Sequence, residues 1–309
     1  MNGLSPHAIE GFKDPATAAR YFAAYDALLA KWPVPFESIQ LSTPLGATHI
    51  LVSGPQDAPP LVLLHGGGGT ALVWRVNVEA LSRHFRVYAI DIIGQLGRSL
   101  SNRKIKNRQD YAQWLCGVFD MLGIKRASLV GNSYGGFLAM SQASLTPERV
   151  NRVVLINPAG IFVSVLSLAS PFMRLVLLLA LKLKKRPEKF DLAAYIGRDV
   201  QFRPDERELA DMIGIVMSSA EMKPHLILPT VFRTAELRAI AAPTLLLMGD
   251  NDLIYDPIAA ARTAQRRMPA LQVEILKGAH HIAAMAQPEE ANRRMLRFLQ
   301  YDLPQRATA

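Results

Sequence analysis

Short, nearly unbroken apolar runs set the tightest limit on what this chain can fold into. "PLVLLHG" (Pro60–Gly66), "RVYAID" (Arg86–Asp91), "RASLVGNS" (Arg126–Ser133), "RVVLINPA" (Arg152–Ala159) and "PTLLLMGDND" (Pro243–Asp252) lack the polar alternation of a half-exposed strand. A parallel strand covered by helices on both faces reads this way. "THILVSG" (Thr48–Gly54) and "LQVEILKGAH" (Leu271–His280) are two further strand candidates. Helical patterns lie between them. In "NRQDYAQWLCGVFDMLGI" (Asn107–Ile124), Tyr111, Leu115, Val118, Phe119 and Leu122 recur at spacings of three and four and form one apolar face. Alternating strand and helix predicts an α/β fold with a mostly parallel central sheet, flanked by helices through right-handed crossovers.

The rhythm breaks between about Gly160 and Arg238, where the sequence is helix-rich and no strand is evident. The strands resume at Pro243, so the break reads as a helical cap grown out of a loop after the sixth strand. The expected division is a core of residues 1–159 and 239–309 and a cap of 160–238. The cap opens with "IFVSVLSLASPFMRLVLLLALKLKK" (Ile161–Lys185). A membrane span there is disfavoured by Pro171 and Arg174 near its middle. An amphipathic, surface-seeking element is the second reading, and a helical insertion packed on the edge of the sheet is the expected one.

Composition removes several classes of function. Cys116 is the single cysteine, so neither an intrachain disulfide nor a cysteine zinc cluster can form. The net charge is +9, but the bases are scattered apart from "KLKKRPEK" (Lys182–Lys189). No nucleic-acid motif or aromatic interleaving accompanies them, so no nucleic-acid partner is expected. The N-terminal stretch carries acids among its apolar residues and no continuous apolar core, unlike a secretory signal. A cytoplasmic location is expected.

"LVGNSYGGF" (Leu129–Phe137) is where chemistry enters. A strand that ends in Gly-X-Ser-X-Gly and turns at once into a helix makes a sharp elbow with the serine at its apex. Small neighbours are needed there, and Gly131 and Gly135 supply them; Gly136, Ala139 and Ser141 let the helix lie close to the sheet. The helix N-terminus beneath Ser133 favours developing negative charge. A serine hydroxyl also needs a base and an acid that orients it. The elbow fold places them after the serine in the order acid, histidine. "LLLMGDNDLIYDP" offers Asp250 and Asp252, and "ILKGAHHIAAMAQP" offers His280 and His281, each at the end of a strand candidate. Oxyanion donors would be the N–H of Tyr134 and one from "LLHGGGGT" (Leu63–Thr70), whose glycines allow close backbone approach. A phosphate-binding role for Gly66–Gly69 fails, since neither the Gly-Lys-Ser/Thr ending nor a dinucleotide fingerprint is present.

Taken together, "HGGGG", "DIIGQLGRS" (Asp91–Ser99), "GNSYGG", "GDND" and "AHHIAAMAQPEE" resemble the α/β-hydrolase superfamily from about Ile39 to Phe298, with its bacterial carboxylesterase-like members nearest. The resemblance implies Asp252, three residues after Gly249, as the acid, with Asp250 the runner-up. Counting back from Pro288 implies His281 as the base, with His280 standing where the family carries glycine and Ala286 where it carries an acid. His65 and Asp91 are implied to be structural, shaping the oxyanion loop and the loop after the third run. Gly66, Gly68 and Trp74 are candidates to line the pocket, Trp74 equally to fill the core, and the Tyr134 ring to flank the substrate. Cys116 is expected in the core.

The implied activity is a serine hydrolase. Ser133 attacks an acyl carbonyl, His281 takes and returns the proton, Asp252 holds the imidazole, and Gly67 and Tyr134 bind the oxyanion. No metal or organic cofactor is required. A small-molecule ester is the expected partner, with an apolar acyl group suggested by "LSLASPFMRLVLLLAL" and "MIGIVMSS". Carbon–carbon or thioester hydrolysis, acyl transfer, ligand binding without turnover, and lipase action with contact to a membrane surface are the alternatives. Both a monomer and a homodimer are compatible with the sequence.

Overall fold

The computed structural model of the protein describes residues 12, 14–163, 207–208, 211–212, 227–252 and 256–300. The first helix, α1 (Pro15–Leu29), starts on Asp14, whose carboxylate accepts the Thr17 N–H at 2.7 Å, with Pro15 preset in the first turn. There follow β1 (Phe36–Thr43), β2 (Gly46–Ser53), β3 (Pro60–Leu64), a 3-10 turn at Ala71–Trp74, α2 (Arg75–Ser82), β4 (Arg86–Ile90) and the two-residue β5 (Leu100–Ser101). Next come α3 (Arg108–Met121), β6 (Ala127–Asn132), α4 (Tyr134–Leu145) and β7 (Val150–Ile156). The chain closes with α5 (Thr234–Arg238), β8 (Thr244–Gly249), α6 (Pro257–Arg267), β9 (Gln272–Leu276), α7 (Ala283–Ala286) and α8 (Pro288–Leu299).

The strands form one sheet in the order β1-β2-β4-β3-β6-β7-β8-β9, with β5 paired to β2. From β4 to β9 every neighbour is parallel. β2 is antiparallel to β1, β4 and β5. The sheet is therefore mostly parallel, as expected, but with an antiparallel edge that the apolar runs did not announce. β1, "FESIQLST", is missing from the strands read in the sequence. As an edge strand it alternates, turning Ile39 and Leu41 inward and leaving Ser38 and Gln40 exposed. With β5 left out, β7 is the sixth strand.

Alternate residues of one strand feed cores on opposite faces. Val62, Leu64 and Leu129 face α3 and α4, with Trp114, Phe119 and Phe137; Leu61, Leu63 and Val130 face α1, α2 and α8, with Tyr21, Val78 and Met295. Each fully buried aliphatic side chain contributes about 1.5–3 kcal/mol. This two-sided demand explains why the central strands carry no polar alternation. The strand order reverses between β3 and β6, a position where the carboxyl ends of parallel strands open a crevice for ligands.

Nearly all of the expected cap lies outside the described residues, including 164–206 and 213–226. Among those described, Ile161, Phe162 and Phe232 are buried, and the Phe232 N–H donates to the Ile161 carbonyl at 3.0 Å. The two ends of that segment therefore rest on the core, and Phe232 meets Phe137 of α4 edge-on. No helix among the described residues is long and apolar enough to cross a membrane.

Asp91, just past β4, ties the antiparallel edge to the rest. It is fully buried. Its Oδ1 accepts the Ala71 N–H at 2.7 Å, and its Oδ2 accepts from the Arg98 N–H, the Tyr25 hydroxyl and His49 Nδ1, each at 2.9 Å. Gly97 makes room for it, because a Cβ there would lie 2.4 Å from the carboxyl carbon. Burial alone would raise the Asp91 carboxyl, but the hydrogen bonds from His49 and then the Ala71 N–H outweigh it and hold the group below its ordinary value. A depressed carboxyl contributes stability that is complete above its unfolded value of about 3.9 and fades as pH falls through the folded value. Asp91→Asn is expected to cost about 3–5 kcal/mol near neutral pH. In urea titrations repeated across pH, the gap to wild type should close progressively below about pH 4; a gap independent of pH would show that the charge is not what stabilises the loop.

Candidate active site

Ser133 is the single residue between β6 and α4. It holds φ of 49° and ψ of −111°, backbone angles that L-residues rarely adopt. The chain reverses so tightly that a Cβ on Gly135 would lie 2.0 Å from the Leu64 carbonyl oxygen, and one on Gly131 2.3 Å from the Gly135 oxygen. Gly136 faces Pro158, where a Cβ would come within 2.9 Å. The serine backbone is held from both sides. Its N–H donates to Ile156 O at 2.9 Å, and its carbonyl accepts from Phe137 and Ala159.

His281 reaches Ser133 from the loop after β9. Its Nε2 lies 2.9 Å from Ser133 Oγ, and its Nδ1 lies 2.7 Å from Asp252 Oδ2. The Asp252 side chain is wholly buried and that of His281 is 7% exposed. A carboxylate only accepts, so Nδ1 carries the ring proton and Nε2 is left to receive the Ser133 hydroxyl proton. The structure thus brings His281, not His280, to the serine, and Asp252, not Asp250, to the histidine. Asp250 instead accepts the Gly278 N–H at 2.6 Å and fixes the turn after β9.

Asn157 holds these loops in register, and sequence reasoning missed it. It follows β7 with φ of 41° and is fully buried. Its Nδ2 donates to the carbonyls of His280 and His281, both at 2.9 Å, while its Oδ1 accepts the Gly249 N–H at 2.9 Å. One side chain therefore joins the ends of β7 and β8 to the loop of the histidine. An asparagine before proline just past a buried strand, one of the few residues that tolerates positive φ, was the available signal. Gly249 allows the same closure, since a Cβ there would lie 2.3 Å from the Ala279 oxygen. Beyond the histidine, Asn77 donates to Ala284 O and to Asn292 Oδ1, and Gln287 donates to Lys277 O. These bonds support the loop that carries Ala286.

The glycine loop after β3 faces the serine. His65 donates from Nδ1 to Gly66 O at 2.8 Å and accepts the Ile92 N–H on Nε2 at 2.9 Å. It is fully buried, and burial lowers its pKa, so it stays neutral and shapes the loop. The Gly68 N–H is engaged by Gln95 Oε1 and the Gly69 N–H by Gly66 O. Among the described residues no bond occupies the Gly67 N–H, and a Cβ on Gly67 would sit 3.6 Å from that of Tyr134. Tyr134 opens α4, where the first N–H groups have no partner within the helix. Gly67 and Tyr134 thus flank the serine with two amides. Gln95, also unforeseen, is the side chain that engages the Gly68 N–H.

Of the remaining candidates, Trp74 and Tyr134 lie in the core and Cys116, expected there, does not. Trp74 is 1% exposed and packs with Leu72 and Val78. The Tyr134 ring is buried against Tyr111 and Phe137, and burial followed by the neighbouring Tyr111 raises its phenol. Cys116 is only half buried and accepts from Gln142 Nε2 at 3.2 Å across the α3–α4 contact.

The sequence model of the alpha/beta hydrolase family matches residues 61–294. Carboxylesterase YbfK of Bacillus subtilis (strain 168) is 36% identical over 283 residues, spanning 91% of this chain and 93% of that protein. The crystal structure of carboxylesterase CesB (YbfK) from Bacillus subtilis superposes with a TM-score of 0.83 at 34% identity, covering 93% of this chain and 100% of that one. That of the naproxen esterase (carboxylesterase NP) from the same organism gives 0.81 at 32% identity, covering 96% and 99%.

Asn157→Ala should lower kcat for an activated ester about 10²-fold with KM nearly unchanged, because the histidine loop loses its register but not the pocket. Asn157→Asp, which removes both donors while keeping the shape, should fall comparably. Retained kcat in either folded variant would assign Asn157 to stability alone.

Proposed function

Because the chain belongs to the α/β hydrolase family, we propose that it is a serine-dependent carboxylic ester hydrolase. The observation that carries this reading is the relay of Ser133, His281 and Asp252 at 2.9 and 2.7 Å on a strained elbow. Ser133 Oγ attacks the acyl carbonyl as His281 Nε2 takes its proton. The carbonyl oxygen becomes an oxyanion between the Gly67 and Tyr134 N–H groups, each worth about 3–4 kcal/mol. Collapse of this intermediate expels the alcohol, which leaves with the proton from His281. Water then repeats the sequence on the acyl-enzyme and frees the acid. Asp252 keeps the ring in the required tautomer and stabilises its charged form.

The substrate is a small molecule with an apolar acyl group, a reading supported by the Leu-, Val- and Met-rich segments Leu166–Leu181 and Met212–Ser219 of the proposed cap. A cytoplasmic site of action is in keeping with the single cysteine, which can form no intrachain disulfide.

Turnover of p-nitrophenyl esters from acetate to palmitate, wild type beside Ser133→Ala, tests the proposal. Multiple turnovers are expected in wild type, with kcat falling by at least about 10³-fold in the variant. The preferred chain length sizes the acyl pocket. Folded wild-type protein that turns over no ester of any length would overturn the ester reading in favour of a thioester or carbon–carbon substrate, or of binding alone.

A further inference from the structure

The face of the β1–β2 ladder turned toward α1 carries a second chain of serine, histidine and aspartate. Gln40 and His49 stand opposite each other across the ladder, which makes Ser38 the diagonal neighbour of His49 on the same face. Ser38 Oγ lies 2.9 Å from His49 Nε2, and His49 Nδ1 lies 2.9 Å from Asp91 Oδ2. These spacings nearly repeat the 2.9 and 2.7 Å at Ser133.

The proton positions follow from the surroundings. Asp91 already accepts the Ala71 and Arg98 N–H groups and the Tyr25 hydroxyl, so it serves His49 as an acceptor. His49 Nδ1 therefore donates, and Nε2 is the base facing the serine hydroxyl. His49 is 3% exposed and rests edge-on against the Tyr25 ring, which fixes its plane. Ser38, by contrast, is exposed on the edge strand. A buried, oriented base thus ends on a nucleophile that solutes can reach.

We propose that Ser38 is an activated surface nucleophile, a second acylation site that takes its acyl group from activated carboxylic esters. Its Oγ attacks the carbonyl carbon while His49 Nε2 receives the hydroxyl proton. The carbon–oxygen bond to the leaving aryloxide breaks, and the aryloxide departs with that proton. An O-acyl serine and a phenol are the products, with no oxidant, reductant or metal involved. Ser38 lies in mid-strand, not at a helix N-terminus. The tetrahedral intermediate therefore lacks the cradle that Ser133 has, and the acyl group is transferred once and held, not turned over.

The test uses the full chain with Ser133→Ala, which silences the elbow serine, so its outcome is independent of the role proposed for Ser133. The protein is incubated with p-nitrophenyl acetate, and the products are read by intact mass and peptide mapping. One acetyl group on the peptide containing Ser38, with one equivalent of p-nitrophenolate released, is expected. Ser133→Ala/Ser38→Ala should lose this acetyl group. Ser133→Ala/His49→Asn, which keeps a donor toward Asp91 but removes Nε2, should acylate Ser38 about 10²-fold more slowly. Absence of acetyl-Ser38 in Ser133→Ala, or labelling undiminished by His49→Asn in protein with unchanged circular dichroism, would overturn the proposal and leave Ser38 an ordinary surface hydroxyl.

Discussion

The contact between Gly135 and the Leu64 carbonyl governs the architecture of the site. Helix α4 begins one residue after β6 ends, so its first turn must pass directly over the end of β3. Where a Cβ would lie 2.0 Å from the Leu64 oxygen, only a hydrogen fits. That approach sets Ser133 above the crevice between β3 and β6, aims the start of α4 at it, and brings the glycine loop after β3 alongside. The strained angles at Ser133 cost about 1–3 kcal/mol. They persist because the strands on either side are buried on both faces, and a sheet so packed cannot relax at one residue without disturbing two cores.

Two buried side chains then convert a generic fold into a particular geometry. Asn157 joins three segments with three hydrogen bonds, and the distance from His281 to Ser133 depends on where that loop lies. Asp91 does the same on the other side of the crevice, reaching the end of the glycine loop through Ala71 and helix α1 through Tyr25. Neither touches the reacting atoms. Both use a polar group at full burial, where a satisfied network is rigid and a broken one is costly.

How far the sequence discloses this arrangement depends on the range of each interaction. The parallel strands are legible because two-sided burial removes alternation locally, and the elbow is legible because its glycines and serine fall within five residues between a strand and a helix. β1 escaped notice because an edge strand with one polar face resembles a loop. In the acid and histidine loops, neighbouring candidates differ only in which side chain points into the site. Choosing Asp252 over Asp250 and His281 over His280 rested on resemblance; in the structure it is Asp252 and His281 that lie in one hydrogen-bonded row with Ser133. Asn157 and Gln95 were invisible for another reason. Their partners are 92 to 124 and 27 positions away, so no local pattern records them.

The serine–histidine–aspartate geometry at two places in one chain separates what such a relay does from what its setting does. At both, a carboxylate fixes the imidazole tautomer and the far nitrogen meets a hydroxyl, so the same proton transfer is available. In the mechanism proposed for Ser133, the attacked carbonyl oxygen also meets two backbone amides, at a helix start and in a glycine loop. That added stabilisation acts on the transition states of both acylation and deacylation, and a cycle requires both. At Ser38 the hydroxyl projects from a regular strand whose backbone serves the sheet. Proton transfer alone can drive attack on an ester that already has a good leaving group, but it does little for the slower attack of water on the unactivated ester that results. The relay therefore determines whether the serine reacts, and the backbone beneath it determines whether the protein is a catalyst.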